Sequence, residues 1–297
     1  MAVGRVLKEA LSWGIETLKE AGIADAKVDA FWLFEAACRI SRAQYLLEPD
    51  RELTEGELSR YQSFIERRKK HEPCQYITGI CEFYGLEFLV NPKVLIPRQD
   101  TEILVEEALK RLSDRKALAE ETVKKLPDTE GPRVLDLCTG SGAVATAIKH
   151  TRPEIEMTAT DISEEALEVA KENSRNNHCE ITFIQSNLFE SVKAKRFDMI
   201  VSNPPYVSEA EYETLMPEIK DFEPELALKA GKEGLDIYKE LIRKAPDYLK
   251  EGGWLLVEIG SSQADAVKTI FAESGFQEIC VVKDLAGLDR VVLGRQG

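Results

Sequence analysis

The sequence predicts an α/β fold: a doubly wound, mostly parallel seven-stranded sheet, preceded by a small helical domain and a β-hairpin linker. Three observations carry this. Short apolar runs alternate with helical patterns from residue 133 onward. The final two runs, 277–282 and 290–293, have no helix between them and predict an antiparallel hairpin at one sheet edge. Before residue 72 only helical spacing is found. The expected division is 1–71 as a helical substrate-recognition domain, 72–97 as the linker and 98–297 as the sheet domain.

In chain order, Val6, Leu7, Ala10, Leu11, Ile15 and Leu18 recur at helical spacing. So do Ala30, Phe31, Phe34 and Ala37, and then Leu58, Tyr61 and Ile65. Residues 76–79 and 82–90, the latter broken at Gly85, read as short strands. A helix follows from Thr101 to Leu112, and the polar stretch 113–131 reads as a surface connection extending it. Expected strands are 133–137, 155–160, 181–185, 197–202 and 254–259, with helices at 143–150, 163–176, 235–249 and 263–274.

Composition excludes some classes. A net charge of −14 argues against a protein that works by coating phosphates and releasing their counterions. No direct nucleic-acid binding is therefore expected. The six cysteines are scattered without a C-x-x-C pair, which reads as free thiols in a reducing compartment. The three histidines, His71, His150 and His178, are far apart and suggest no metal site. No signal peptide and no apolar run near ~20 residues is present. The expectation is a cytoplasmic protein without a membrane segment.

Val134-Leu135-Asp136-Leu137 runs into Cys138-Thr139-Gly140-Ser141-Gly142 and then a helical pattern. Glycines there let a backbone approach a ligand closely. Asp136, inside the strand, disfavours a pyrophosphate and favours a ligand bearing positive charge, such as a sulfonium. Asp161, nineteen residues beyond Gly142, ends the next strand and suits a ribose diol. That acid fits NAD and S-adenosylmethionine equally, and a helix N-terminal acid as well. After the third strand, Asn187 and Leu188 are placed to read an adenine edge and cover its ring.

The fourth strand, Phe197-Asp198-Met199-Ile200-Val201-Ser202, stops at Asn203-Pro204-Pro205-Tyr206. Neither proline can donate a ladder hydrogen bond, so a stiff loop follows the strand. Strand carboxyl ends are where ligands bind in such sheets. An amide oxygen on Asn203, free carbonyls and an aromatic ring suit a planar group bearing an NH2.

In this order the D-x-x-T-G-S-G turn, Asp161 and Asn-Pro-Pro-Tyr resemble the class I S-adenosylmethionine-dependent methyltransferases, with their Rossmann-like sheet. Further stretches narrow the resemblance: Glu72-Pro73-Cys74-Gln75-Tyr76-Ile77-Thr78-Gly79, Phe83-Tyr84-Gly85-Leu86, and Ile96-Pro97-Arg98-Gln99-Asp100-Thr101-Glu102. Phe222-Glu223-Pro224-Glu225-Leu226-Ala227-Leu228 and Gly234-Leu235-Asp236 belong with them. Together they resemble the release factor glutamine methyltransferases (PrmC/HemK) over nearly the whole chain. Three positions depart from that pattern: Cys138 replaces a glycine, Gln99 a proline and Asn187 an acidic residue. Cys138 fits the turn provided its φ is negative.

The resemblance implies methylation of the side-chain amide of the glutamine in a Gly-Gly-Gln loop of a peptide-chain release factor. S-adenosylmethionine would lie against Asp136, Cys138, Thr139, Gly140, Ser141, Gly142, Asp161, Asn187, Leu188 and Asn203. The acceptors for the amide N–H groups would be the Asn203 side-chain oxygen and the Pro204 carbonyl. Pro205 would shape the loop, and Tyr206 would pack on the amide plane. Glu223 would orient the loop or touch substrate, and Arg98 and Glu102 would either help close the site or form a local ion pair. No metal is implied. The rival readings are an amino-methylating DNA methyltransferase, which flips its base into such a pocket, and a non-enzymatic nucleotide-binding module.

Overall fold

The computed structural model describes residues 5–121, 131–193 and 196–297, and for 114–121 the backbone alone. It divides into two compact units. One comprises the chain through Ile80 together with Met216–Phe222, and the other Cys81–Leu215 together with Glu223–Gly297.

The first unit is helical: α1 (Leu7–Glu20), α2 (Ala26–Cys38), α3 (Arg42–Leu47), α4 (Glu55–Arg68) and α5 (Cys74–Thr78). Helices α3 and α4 begin at capping boxes, Ser41 with Gln44 and Thr54 with Glu57. Leu18, Leu33, Phe34, Tyr61 and Ile65 fill the core. Residues 76–79, which overlap α5, were expected as a strand. Pro73 starts a helical turn there, and Gly79, at φ +81°, ends it, so local stop and start signals override the β-branched residues. Nearly buried Arg68 pairs with Asp29 at 2.7 Å and with Glu218 at 2.9 Å. The second bond holds the distant segment Met216–Phe222 within the helical unit.

The hairpin strands are β1 (Ile80–Phe83) and β2 (Leu86–Leu89), joined at Tyr84-Gly85, and a 3-10 turn (Gln99–Thr101) leads into α6 (Glu102–Glu121). The helix thus continues into the polar connection, of which 122–130 lies outside the described residues. The sheet unit then runs β3 (Arg133–Leu137), α7 (Ala143–Thr151), β4 (Glu156–Asp161), α8 (Glu164–Asn176), β5 (Thr182–Gln185) and β6 (Phe197–Ser202). Two short helices, α9 (Glu209–Tyr212) and α10 (Pro217–Lys220), were not foreseen, and α10 lies in the segment that belongs to the helical unit. They precede α11 (Asp236–Tyr248), β7 (Leu249–Glu258), α12 (Ala264–Glu273), β8 (Phe276–Lys283) and β9 (Asp289–Gln296).

The strand order is β5-β4-β3-β6-β7-β9-β8. The first five are parallel, and β9 runs antiparallel to both β7 and β8, as the missing helix between the last two strands predicts. All six residues of β6 are buried, which identifies a central strand covered on both faces. One core packs α11 and α12 through Tyr238, Leu241, Ile242, Val267 and Phe271. The other packs α6, α7 and the hairpin through Phe83, Phe88, Leu104, Val105 and Ala147. The hairpin is pinned to α8 by Asn173, whose amide accepts from the Leu89 N–H and donates to the Leu89 and Ser141 carbonyls.

Candidate active site

The carboxyl ends of β3, β4 and β6 open on one cavity of about 420 Å³. Its lining includes Asp136, Cys138, Thr139, Gly140, Ser141, Asp161, Asn187, Leu188, Asn203 and Pro205. Nine of the expected cofactor residues are therefore brought together on one cavity. Gly142 sits just behind it at φ +79°, and a Cβ there would meet the Ala170 Cβ at 3.0 Å.

The cofactor turn is held by its own carboxylates. Asp161 Oδ2 accepts from the Gly140 N–H at 2.8 Å, and Oδ1 from the Ser163 N–H at 2.9 Å. The carboxylate keeps lone-pair capacity for hydroxyl donors beside these N–H groups. Burial raises the Asp161 carboxyl above its ordinary range in spite of those N–H groups. Asp136 is almost wholly buried and accepts from the Thr139 hydroxyl at 2.6 Å. Burial pushes it up to about 7, against Thr139 and the Ala145 N–H, which favour the charged form. A buried acid poised near neutrality is stabilised as a carboxylate by an adjacent cation.

Two turn residues take conformations that cost energy. Cys138 has φ +59°, which corrects the expectation of a negative value. The departure from glycine thus places a side chain in the left-handed region, where the Cβ strains the backbone by about 1–2 kcal/mol. The thiol packs against the core beside α11, and burial raises it far above its ordinary range, so it stays neutral. Leu188, at φ +48°, is held in the same region with its side chain buried against the cavity. Asn187 is exposed at the rim, and its amide donates to Glu190.

Asn203 lies at the end of β6, half-buried, and its amide Nδ2 donates to the Thr101 hydroxyl oxygen at 3.2 Å. The Asn203 oxygen is not spent on that bond. The Tyr206 ring packs against the core rather than lining the cavity, and burial pushes its phenol up to about 12. The loop is held by Gln263. Its amide donates to the Tyr206 carbonyl at 3.0 Å and to the Gly234 carbonyl at 3.2 Å, and accepts from the Gly260 N–H at 2.9 Å. Gly234 accounts for the Gly-Leu-Asp stretch: at φ +70°, a Cβ there would meet the Tyr206 carbonyl oxygen at 2.3 Å.

Glu223 does not face the cavity. Its carboxyl is buried and paired with Arg98, which does line it. The two residues thus fasten the segment after β2 to the Phe-Glu-Pro stretch, while Pro224, Glu225 and Leu226 form the cavity wall. Glu102 is not at the site either, because its carboxylate accepts from the Tyr84 N–H at 2.8 Å and caps the hairpin turn. Sequence reasoning missed Thr101, Glu258 and Gln263. Thr101 stood inside a noted stretch, but nothing local marks the other two. Among the described residues, no group of three His, Cys, Asp or Glu side chains is arranged to hold a metal ion.

Residues 9–79 match the PrmC N-terminal domain, and residues 118–219 the methyltransferase small domain. The chain is 39% identical to a release factor glutamine methyltransferase of Geobacter sulfurreducens, covering 98% of this chain and 97% of that protein. It is 41% identical to that of Koribacter versatilis, covering 98% of both. Among solved structures, the hMettl16 catalytic domain bound to the MAT2A 3'UTR hairpin 1 superposes with a TM-score of 0.52. That match covers 84% of each chain at 14% identity and supports the fold alone. With the relatives matching end to end and the site residues gathered on one cavity, the chain belongs to the release factor glutamine methyltransferase family.

Proposed function

We propose that this protein transfers a methyl group from S-adenosylmethionine to the side-chain amide nitrogen of a glutamine in a peptide-chain release factor. The observation that carries the reading is one cavity shared by Asp136, Asp161 and Asn203. It joins acceptors for a cationic nucleoside to a side-chain amide able to accept from a second, planar group.

The residues fit the cofactor. The volume falls in the range of small-molecule sites. Asp161 offers paired acceptors for a diol, and Asp136 is a buried acid that gains from positive charge. Gly140, Ser141 and Thr139 bring the backbone close, and Leu188 and Asn187 would contact the adenine. When bound, S-adenosylmethionine supplies a methyl group activated by a positively charged sulfur.

The protein's own task is orientation. An amide nitrogen is a poor nucleophile because its lone pair is delocalised into the carbonyl. Asn203 Oδ1 and the Pro204 carbonyl, accepting from both N–H groups, would favour a pyramidal nitrogen with its lone pair directed into the cavity. Such positioning supplies several kcal/mol of the ~7–11 that orientation can offer. The product is a cation that loses its proton to water, so no general base is required. The glutamine is proposed to be that of a Gly-Gly-Gln loop, with the helical unit recognising the release factor in the cytoplasm. No helix among the described residues is long and apolar enough to cross a membrane.

Labelled methyl donor offered in parallel to purified release factor and to DNA tests this reading. Label should enter the release factor at a glutamine and not DNA. Transfer to DNA alone would replace this proposal with the base-methylating one, and transfer to neither would favour a binding module.

A further inference from the structure

Beyond Asn203 and its loop, one buried acid next to the site has no part in the mechanism described so far. Glu258 ends β7, the strand paired in parallel with β6. The register sets Ser202 opposite Val257, so the next step along each strand sets Asn203 beside Glu258. Glu258 is only 1% exposed, and its Oε2 has no hydrogen-bond partner. Such an acid is costly to keep in a core unless it acts on a neighbour.

We propose that Glu258 is a positioning residue. Through its contacts with Asn203 and Thr101, the carboxylate turns the Asn203 NH2 inward and so leaves Oδ1 to face the substrate amide. This rests on the proposed reaction.

The argument turns on donors and acceptors. An asparagine amide has two ends of nearly equal shape, and only its surroundings decide which faces the cavity. Asn203 Nδ2 donates to Thr101 Oγ1 at 3.2 Å. The Thr101 hydroxyl then has its own proton to place, and the Glu258 carboxyl lies close enough to Thr101 and Asn203 for both side chains to favour its charged form. An ionised carboxylate can only accept. It therefore fixes Thr101 as an acceptor toward Asn203 and selects the NH2 end of the amide. A protonated Glu258 is itself a donor, and the selection is lost.

The other groups facing Glu258 set when this happens. Arg290, on β9, favours the charged form, while Asp100 opposes it. Arg290 is in turn shared between Asp100 at 3.1 Å and Asp284 at 3.0 Å, so its charge is largely spent. Tyr206 and Tyr238 are neutral, and the Tyr238 hydroxyl donates to the Glu258 main-chain carbonyl at 2.8 Å. Burial outweighs the rest and pushes the carboxyl up to about 7. The sign follows: the orienting charge is present above that pH and disappears below it.

The test reads Asn203 directly, then the reaction. In protein with 15N-labelled side-chain amides, the Asn203 NH2 resonances, identified by their absence in Asn203→Ala, should shift with a midpoint near pH 7. In Glu258→Gln they should not titrate. Steady-state methylation of release factor should show an acid limb in kcat near the same pH. Glu258→Gln should lower the plateau by about tenfold to a hundredfold and remove the limb, with KM and calorimetric cofactor affinity within about twofold of wild type. Glu258→Gln should also melt higher than wild type at pH 8, having lost a buried charge. A merely structural role would lower melting and activity together.

Asn203 resonances in the wild type that stay fixed between pH 6 and 8.5 would overturn the proposal, even if Glu258→Gln fails to fold. So would an acid limb that persists in that variant. If wild type methylates no release factor, the reaction assignment fails, while the resonance titration still decides whether Glu258 orients Asn203.

Discussion

The Gln263 side-chain amide and the Tyr206 carbonyl are bonded at 3.0 Å, across 57 residues of chain. The same amide reaches Gly234 and Gly260, so one side chain ties the acceptor loop to the end of β7 and the start of α11. Gln263→Ala leaves three backbone groups without this partner, at buried Gly234 and at half-buried Tyr206 and Gly260. The unmade bonds should cost about 1–3 kcal/mol in stability. The loop would also lose its register beside the cavity, so kcat should fall by about tenfold with cofactor affinity nearly unchanged. Chemical denaturation and steady-state kinetics check the two parts separately. Normal kcat in a destabilised protein would reduce Gln263 to a structural brace.

Asp161→Ala removes both acceptors proposed for the ribose. It also releases the Gly140 and Ser163 N–H groups, so the turn itself loosens. Hydrogen bonds to a charged group are worth ~1.5–3 kcal/mol, and titration calorimetry should show at least a tenfold loss of S-adenosylmethionine affinity. Unchanged affinity would remove the ribose assignment.

Asp136 predicts a proton balance. Burial holds its carboxyl up to about 7 in the folded protein, against 3.8 for the ordinary group. Between those values the folded state keeps a proton that the unfolded state has lost. Stability should therefore fall as pH rises from about 4 toward 7, by at most about 1.4 kcal/mol per pH unit from this group. A bound cation favours the carboxylate, so cofactor affinity should rise with pH through the same window, and binding at pH 6.5 should release protons. Calorimetry in two buffers of different ionisation enthalpy measures this. Proton release of equal size in Asp136→Asn would assign it to another group.

Asn203→Ala deprives the substrate amide of an acceptor inside the site. An unsatisfied donor costs ~1–3 kcal/mol, and the lost orientation adds to it, giving a rate drop of roughly a hundredfold or more. Asn203→Asp keeps an acceptor and should retain part of the activity. Single-turnover transfer to release factor at saturating cofactor decides. Near-normal rates in the alanine variant would remove the acceptor loop from the mechanism.

The sequence by itself determined the alternation of strands and helices, the edge hairpin and the order of the cofactor turn, Asp161 and the Asn-Pro-Pro-Tyr loop. These are written locally. Hydrophobic period, paired prolines and turn glycines act within a few residues, so β6 could be read from its own run of apolar residues. The same locality failed at residues 76–79, where β-branched residues suggested a strand but the flanking Pro73 and Gly79 made α5. Only the tertiary structure decided that Glu223 turns to Arg98 instead of the cavity, and that Arg68 draws Glu218 into the helical unit. It alone set Glu258 beside Asn203, because that neighbourhood follows from β7 lying next to β6. Buried hydrogen-bond and charge partners are chosen by strand order and helix placement, and no spacing along the chain encodes them.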